Sequence, residues 1–327
     1  MKGFLKLIRW QNLLIVALTM ILMRYFIIGT LISKVPVVLY GRPEATPLEL
    51  QFPWYNFIIL VLSTVFITAG GYVINDYFDI RTDLINRGEV IVGSRVPRRV
   101  AMTWHAILNI AGIAGGFYVS WCAGYFWMGA LYLVVSGLLY FYSATYKRQF
   151  LIGNLIVAML TAMVPLLVAV YEWSALYRNY SALTTRIPGL SFIFYWIDGF
   201  AFFAFLTTLA REVIKDIEDF EGDMVYGRNT LPVVIGVAAS KIVAIGLLII
   251  TIAMLYLVWF FFVNDKITLI YISAAIALPV LYAIYIISVS RTRKQYHKSS
   301  SMIKIIMLAG LLYSVVVKIL ITWNLVG

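Results

Sequence analysis

A chain of 327 residues that is 62% hydrophobic and only 13% charged is not an ordinary soluble domain, in which about 25% of residues carry charge. Its net charge of +11 does not point to nucleic acid, since no long basic block or aromatic RNA-binding signature accompanies it. The basic residues lie between apolar stretches of about 20 residues, the length that crosses a bilayer core as helix.

Lys2, Lys6 and Arg9 precede the first apolar run, as in a signal peptide. The run 13–32 is too long for a signal h-region and no small-x-small site closes it, so it reads as the first span. Hydropathy predicts nine spans, at roughly 11–32, 56–76, 101–121, 125–145, 151–171, 191–211, 238–262, 267–289 and 302–323. With the N-terminus cytoplasmic, 19 of the 26 Lys and Arg residues fall in cytoplasmic segments. Five (Lys34, Arg42, Arg178, Arg186 and Lys266) fall outside, the asymmetry of the positive-inside rule. The odd number of spans then puts Gly327 outside. The outer connections 33–55 and 172–190, with Pro36, Pro43, Pro47, Pro53 and Trp173, read as interfacial loops, and one domain over 1–327 is expected. Cys122 is the only cysteine, which excludes an intrachain disulfide. Asp198 reads as snorkelling or loop-facing. Arg24 and Lys318, also within spans, either snorkel outward or mark function.

Two cytoplasmic segments differ in kind: NDYFDIRTDLINR (75–87) after the second span and REVIKDIEDFEGD (211–223) after the sixth. They hold, or directly adjoin, 10 of the 15 acidic residues: Asp76, Asp79, Asp83, Glu89, Glu212, Asp216, Glu218, Asp219, Glu221 and Asp223. Asp76, Asp79 and Asp83 stand at i, i+3, i+7, and Asp216, Asp219 and Asp223 repeat that spacing 140 residues later. Four spans separate the segments, which predicts two parallel four-helix repeats, roughly 1–148 and 149–290, and an extra helix at 302–323.

On a helix the i, i+3, i+7 positions share an arc of about 60°. Glu212 extends the second acidic face and Asn75 the first. Like charges about 6 Å apart repel by roughly 3 kcal/mol at an effective dielectric of 20, so such clusters call for a counter-ion. Carboxylate oxygens suit Mg²⁺, which is commonly held by a few carboxylates together with substrate phosphates. Two acidic faces could therefore clamp a diphosphate through Mg²⁺. Glu218 and Glu221 project away from the acidic face and read as solvated helix charges. An EF-hand is not supported, as its loop pattern is missing. Arg87, Arg95, Arg98, Arg99, Lys147, Arg148, Lys215 and Arg228 lie nearby and could neutralise phosphate oxygens; topology or lipid headgroup contact explains Arg98 and Arg99 better.

The segment NDYFDIRTD (75–83) resembles the first signature of the UbiA superfamily, and DIEDFEGD (216–223) with YGRNTLP (226–232) resembles its second. RWQN (9–12) and YKRQFLIGN (146–154) resemble further family positions. The resemblance implies an all-α polytopic membrane protein, nine helices around a central cavity, with both motifs at its cytoplasmic mouth. It implies a prenyl diphosphate bound head-up through Mg²⁺, ionising to an allylic carbocation that a lipophilic or amphiphilic acceptor captures. By the same resemblance Asn75, Asp76, Asp79 and Asp83 belong to the first metal site, Asp216, Asp219 and Asp223 to the second, and Asn12 to the acceptor side. Lys147, Arg148, Lys215, Arg228 and Arg87 are the expected substrate-binding residues. Many members continue into a K-P-x-R-P run, whereas this chain reads NRGEVIVG (86–93), with Val90 where a basic residue is usual; Arg87 or Arg95 is the expected substitute.

Within the family, 211–232 is most similar to the branch whose acceptor is geranylgeranylglyceryl phosphate, alkylated with a geranylgeranyl group. A phosphate-bearing acceptor needs further cations, for which Arg87, Arg95, Lys147, Arg148 and Arg228 are available. Aromatic acids such as 4-hydroxybenzoate or a naphthoate are the alternative acceptors. A secondary transporter is a weaker alternative, because transporter ion sites usually lie near the bilayer midplane. A membrane scaffold gives no reason for two matched aspartate faces. The 16% aromatic content suits cation–π shielding of a carbocation as well as ordinary packing.

Overall fold

The computed structural model describes residues 2–41, 44–87, 90–184 and 189–323, with backbone alone for Lys2 and Arg87. Among them, nine helices are long and apolar enough to cross a membrane: Trp10–Ile32, Trp54–Phe78, Arg98–Cys122, Phe126–Ala144, Ile152–Ser181, Ser191–Glu218, Val237–Val263, Lys266–Val289 and Arg293–Thr322. These are the expected nine spans, and the protein is a multi-pass helical membrane protein. The expected position of Gly327 falls outside the described residues.

Spans two and six are the hubs. Span two packs against spans one, three and four, and span six against five, seven and nine. Half of the apolar window of span two is buried, against 17% in span seven, as a lipid-facing helix requires. Spans one and nine close the ring by packing on each other, and span one also touches span five. The enclosed cavity is lined from spans one, two, four, five, six and nine, while three, seven and eight lie outside it.

Two expectations at the ends of spans need correction. The segment 172–190 is not all loop, because the fifth span stays helical to Ser181. Glu172 looks like a helix boundary in the sequence, yet it is buried and paired with Arg24 of span one at 3.1 Å. Its Oε1 also accepts from the backbone N–H groups of Gln51 and Phe52, at 2.6 and 3.0 Å. Arg24 therefore does not snorkel: it turns inward on the π-helical stretch Met23–Ile28 and donates to the Phe52 carbonyl. This network ties the 45–53 segment to the bundle, and its strand Ala45–Pro47 pairs with Pro36–Val38. Lys318 lies 4.4 Å from the Phe26 ring centroid, and Asp198 is exposed.

The ninth span starts at Arg293 rather than near 302. Thr292 and Gln295 form a reciprocal capping box there, which satisfies backbone donors at the helix start.

Candidate active site

Each acidic motif begins on a hub helix and continues on a short one. Span two ends at Phe78, Asp79 takes φ −90° and ψ 1°, and a helix then runs over Ile80–Arg87. Span six ends at Glu218, Asp219 takes φ −97° and ψ 8°, and Phe220–Val225 follows. The three aspartates of each motif thus do not share one unbroken helical face, as their spacing predicts. The i→i−4 bonds still cross the break, from Asp83 N to the Asp79 carbonyl (2.8 Å) and from Asp223 N to the Asp219 carbonyl (3.1 Å). Side chains compete for those same carbonyls: Thr82 Oγ1 donates to that of Asp79 at 3.1 Å, and Asn86 Nδ2 to that of Asp219 at 3.5 Å. Such competition bends helices.

The two short helices pack together. Asn86 Oδ1 accepts from Gly222 N at 3.1 Å, and a Cβ on Gly222 would lie 2.4 Å from that oxygen. The glycine therefore lets the motifs close on each other.

Between them lies a polar pocket of about 80 Å³ lined by Asp79, Asp83, Asp216, Asp219 and Asp223 with Asn75, Lys147, Lys215 and Arg228. Arg228 bridges the two motifs, donating to Asp79 at 2.8 Å and to Asp223 at 3.2 Å. Lys147 pairs with Asp79 and donates to Asn75 Oδ1 at 3.2 Å. A tight turn holds Lys147 there. Leu151 has φ 58°, and a Cβ on Gly153 would stand 2.7 Å from the Lys147 Cα. Asn154 donates to Asp216 at 2.8 Å, and Arg293 approaches Asp219 at 3.6 Å.

Burial alone would push the Asp79 carboxyl up, but Lys147 and Arg228 outweigh it and hold Asp79 below its usual range. Burial pushes Asp223 up to about 6; Arg228 opposes the shift and Asp219 adds to it. The pocket thus favours the ionised form of Asp79 more strongly than that of Asp223.

The polar pocket opens onto an apolar cavity of about 340 Å³. Arg9, Asn75, Tyr142, Glu212 and Lys215 line both. A molecule with an anionic head and a long apolar tail fits this junction, head among the aspartates and tail among the helices. On the cavity wall Arg9 pairs with Asp76 at 2.9 Å and lies 4.9 Å from the Tyr72 ring centroid. Asn12 donates to Tyr72 OH at 3.2 Å and accepts from Lys304 of span nine.

Of the thirteen residues expected at the site, the structure brings nine to the polar pocket: Asn75, Asp79, Asp83, Lys147, Lys215, Asp216, Asp219, Asp223 and Arg228. Asn12 lines the apolar cavity. Asp76 does not line the polar pocket and is bound to Arg9 instead. Arg148 is exposed, its carbonyl accepting from Asn229 N at 2.8 Å. The Arg87 side chain and Glu89 lie outside what is described. Glu218 does turn away, toward His297 at 2.9 Å, and Glu221 is exposed. Arg9, Thr82, Asn86, Tyr142, Asn154 and Lys304 were not expected at the site. Arg9 and Asn154 sit within the RWQN and YKRQFLIGN stretches, the signal that could have found them. Lys304 had no local signal.

Among the described residues no three His, Cys, Asp or Glu side chains form a ready-made metal site. The donor set nonetheless suits a hard divalent cation, since six carboxylates (the five aspartates and Glu212) and, among the described residues, no sulfur or imidazole line the pocket.

A model of the UbiA prenyltransferase family matches residues 45–312. The digeranylgeranylglyceryl phosphate synthase of Methanosphaera stadtmanae is 33% identical over 257 residues, covering 78% of this chain and 85% of that protein. The protein of the same name from Thermococcus kodakarensis is 33% identical over 249 residues, 76% of this chain and 80% of its own. A solved digeranylgeranylglyceryl phosphate synthase superposes with a TM-score of 0.61 at 24% identity, covering 96% of this chain and 98% of that one. A UbiA homologue from Archaeoglobus fulgidus bound to GPP and Mg²⁺ superposes with a TM-score of 0.53 at 14% identity, covering 94% and 98%. At these identities the superpositions speak to the fold.

Proposed function

The chain belongs to the UbiA prenyltransferase family, and within it we propose an enzyme that moves a geranylgeranyl group from its diphosphate to geranylgeranylglyceryl phosphate. One observation carries the prenyl-transfer reading: an acidic, cation-bridged pocket opens directly onto an apolar cavity inside the helix ring. The acceptor rests on the names of the relatives. Aromatic acids remain the alternative.

In this reading Asp79, Asp83, Asp216, Asp219 and Asp223 would hold Mg²⁺ together with the diphosphate. The metal supplies Lewis-acid stabilisation of the departing diphosphate. Lys147 and Arg228, which neutralise Asp79 and Asp223 in the structure, are placed to take phosphate oxygens as charge-assisted donors. Asn75 orients Lys147. Asp76 positions Arg9, and Asn12 faces the acceptor. Capture of the allylic cation by the acceptor hydroxyl would form the ether C–O bond and release the hydroxyl proton, and the apolar lining would limit competing capture by water.

The chain reads as a single domain of two four-helix copies, 1–148 and 149–290, with a ninth helix appended. The matched breaks at Asp79 and Asp219 support this. The motif mouth is read as cytoplasmic in a cell membrane, from the distribution of Lys and Arg. A reporter fused after Gly327 should accordingly behave as non-cytoplasmic, and cytoplasmic behaviour would reverse the orientation.

The deciding experiment offers the purified protein labelled geranylgeranyl diphosphate with each acceptor in turn. Product from geranylgeranylglyceryl phosphate is expected. Product from an aromatic acid, and none from the glyceryl phosphate, would overturn the acceptor.

A further inference from the structure

Four cations stand at the end of the apolar cavity nearest the aspartates: Arg9, Arg211, Lys215 and Lys304. Two carboxylates answer them. Arg9 is paired with Asp76, while Arg211 and Lys215 share Glu212 at 3.0 and 2.8 Å. Lys304 enters from span nine and donates to Asn12; among the described residues it shows no carboxylate partner. Among the described residues Arg211 also leaves its buried Nε without a hydrogen-bond partner.

A buried donor left unmade is costly, and a cation on a spanning helix is retained for a purpose more often than not. Arg211 and Lys304 both line one cavity inside the helix ring, so lipid headgroups on the outer surface of the bundle do not explain them. The wall carries an excess of two positive charges, close to the charge of a phosphate monoester at neutral pH. The diphosphate is not the natural occupant, because Lys147 and Arg228 already sit among the aspartates that a metal-bound diphosphate needs.

We infer that Lys304 and Arg211, with Arg9 and Asn12, form a separate site for the phosphate monoester of the acceptor. The site rests on the glyceryl phosphate reading above and moves that phosphate away from Arg87, Arg95, Lys147, Arg148 and Arg228, the cations that the sequence offers. Asn12 is the hinge of the arrangement: its amide joins Lys304 to Tyr72, over which Arg9 lies. Asn75, Tyr142 and Glu212 line both the cavity and the polar pocket, and the glyceryl hydroxyl of an acceptor held there would have to reach that junction.

The test is equilibrium binding to the purified full chain, in EDTA and without donor. The ligands are geranylgeranylglyceryl phosphate and its dephosphorylated alcohol, offered to wild type, Lys304→Met, Arg211→Met and Lys304→Arg. Both methionine variants should bind the phosphate about tenfold or more weakly, 1.4 kcal/mol per tenfold, and the alcohol within about twofold of wild type. Lys304→Arg should restore most of the phosphate affinity, which a merely misfolded variant would not explain. Equal phosphate binding by wild type and both methionine variants overturns the site. Turnover separates the two readings. A wild type that never uses the glyceryl phosphate sinks the acceptor assignment, while phosphate-selective binding lost in Lys304→Met would still uphold the site.

Discussion

The mouth of the cavity holds two anion-facing regions of opposite sign. In the polar pocket five aspartates face Lys147 and Arg228; on the cavity wall Arg211 and Lys304 stand beyond Arg9, Glu212 and Lys215, which line both spaces. On the proposed reading the first region would repel a diphosphate until divalent cations are added. The second, as inferred above, would attract a phosphate without metal. Two phosphorylated substrates can thus be told apart by their need for metal, although they meet at one junction. Coulomb terms of several kcal/mol per close pair in a partly buried site are large enough to enforce the distinction.

The strongest way to break this contrast is to remove one aspartate at a helix break. Asp79→Ala or Asp219→Ala should lower turnover about a thousandfold, since metal-assisted charge stabilisation is worth several kcal/mol and each 1.36 kcal/mol is tenfold in rate. Acceptor binding should survive in both variants. Steady-state kinetics beside acceptor binding checks this, and near-normal turnover would remove the aspartates from the mechanism.

A smaller effect is expected from Arg228→Gln, which leaves Asp79 and Asp223 without their common bridge. Losing one charge-assisted donor costs about 1.5–3 kcal/mol, so kcat/KM for the prenyl diphosphate should fall roughly 10- to 150-fold. KM for the acceptor should hold. A change confined to the acceptor would place Arg228 on the wrong side of the contrast.

Arg24→Met should move neither KM, because the Arg24–Glu172 pair belongs to neither region. It should instead destabilise the fold by about 3–5 kcal/mol, the usual consequence of stranding a buried charge. Thermal unfolding in detergent measures this, and an unchanged melting temperature would contradict the structural role given to the pair.

The part of this molecule legible in its sequence follows a simple rule. Features encoded by local periodicity were readable: nine apolar runs, two aspartate clusters and the asymmetry of basic residues. Features made by residues far apart were not. Arg24 and Glu172 are 148 positions apart and Asp76 and Arg9 are 67 apart, and neither pair leaves a local pattern. Lys304 was hidden by its setting, since in the sequence it looks like one more basic residue near the start of a span. The helix breaks were obscured for another reason. The i, i+3, i+7 spacing fits an unbroken helix, whereas the structure breaks it at Asp79 and Asp219, whose carbonyls also accept from Thr82 and Asn86. The early start of span nine, by contrast, could have been read from Thr292-x-x-Gln295, the pattern of a capping box.

The most direct test of the two-region account is to measure donor and acceptor binding separately in Mg²⁺ and in EDTA. Prenyl diphosphate should bind at least about a hundredfold more weakly in EDTA, 1.4 kcal/mol per tenfold, and recover when Mg²⁺ is restored. Geranylgeranylglyceryl phosphate should bind within about twofold in either condition. Equal metal dependence for the two ligands, whether both need Mg²⁺ or neither does, would contradict the account.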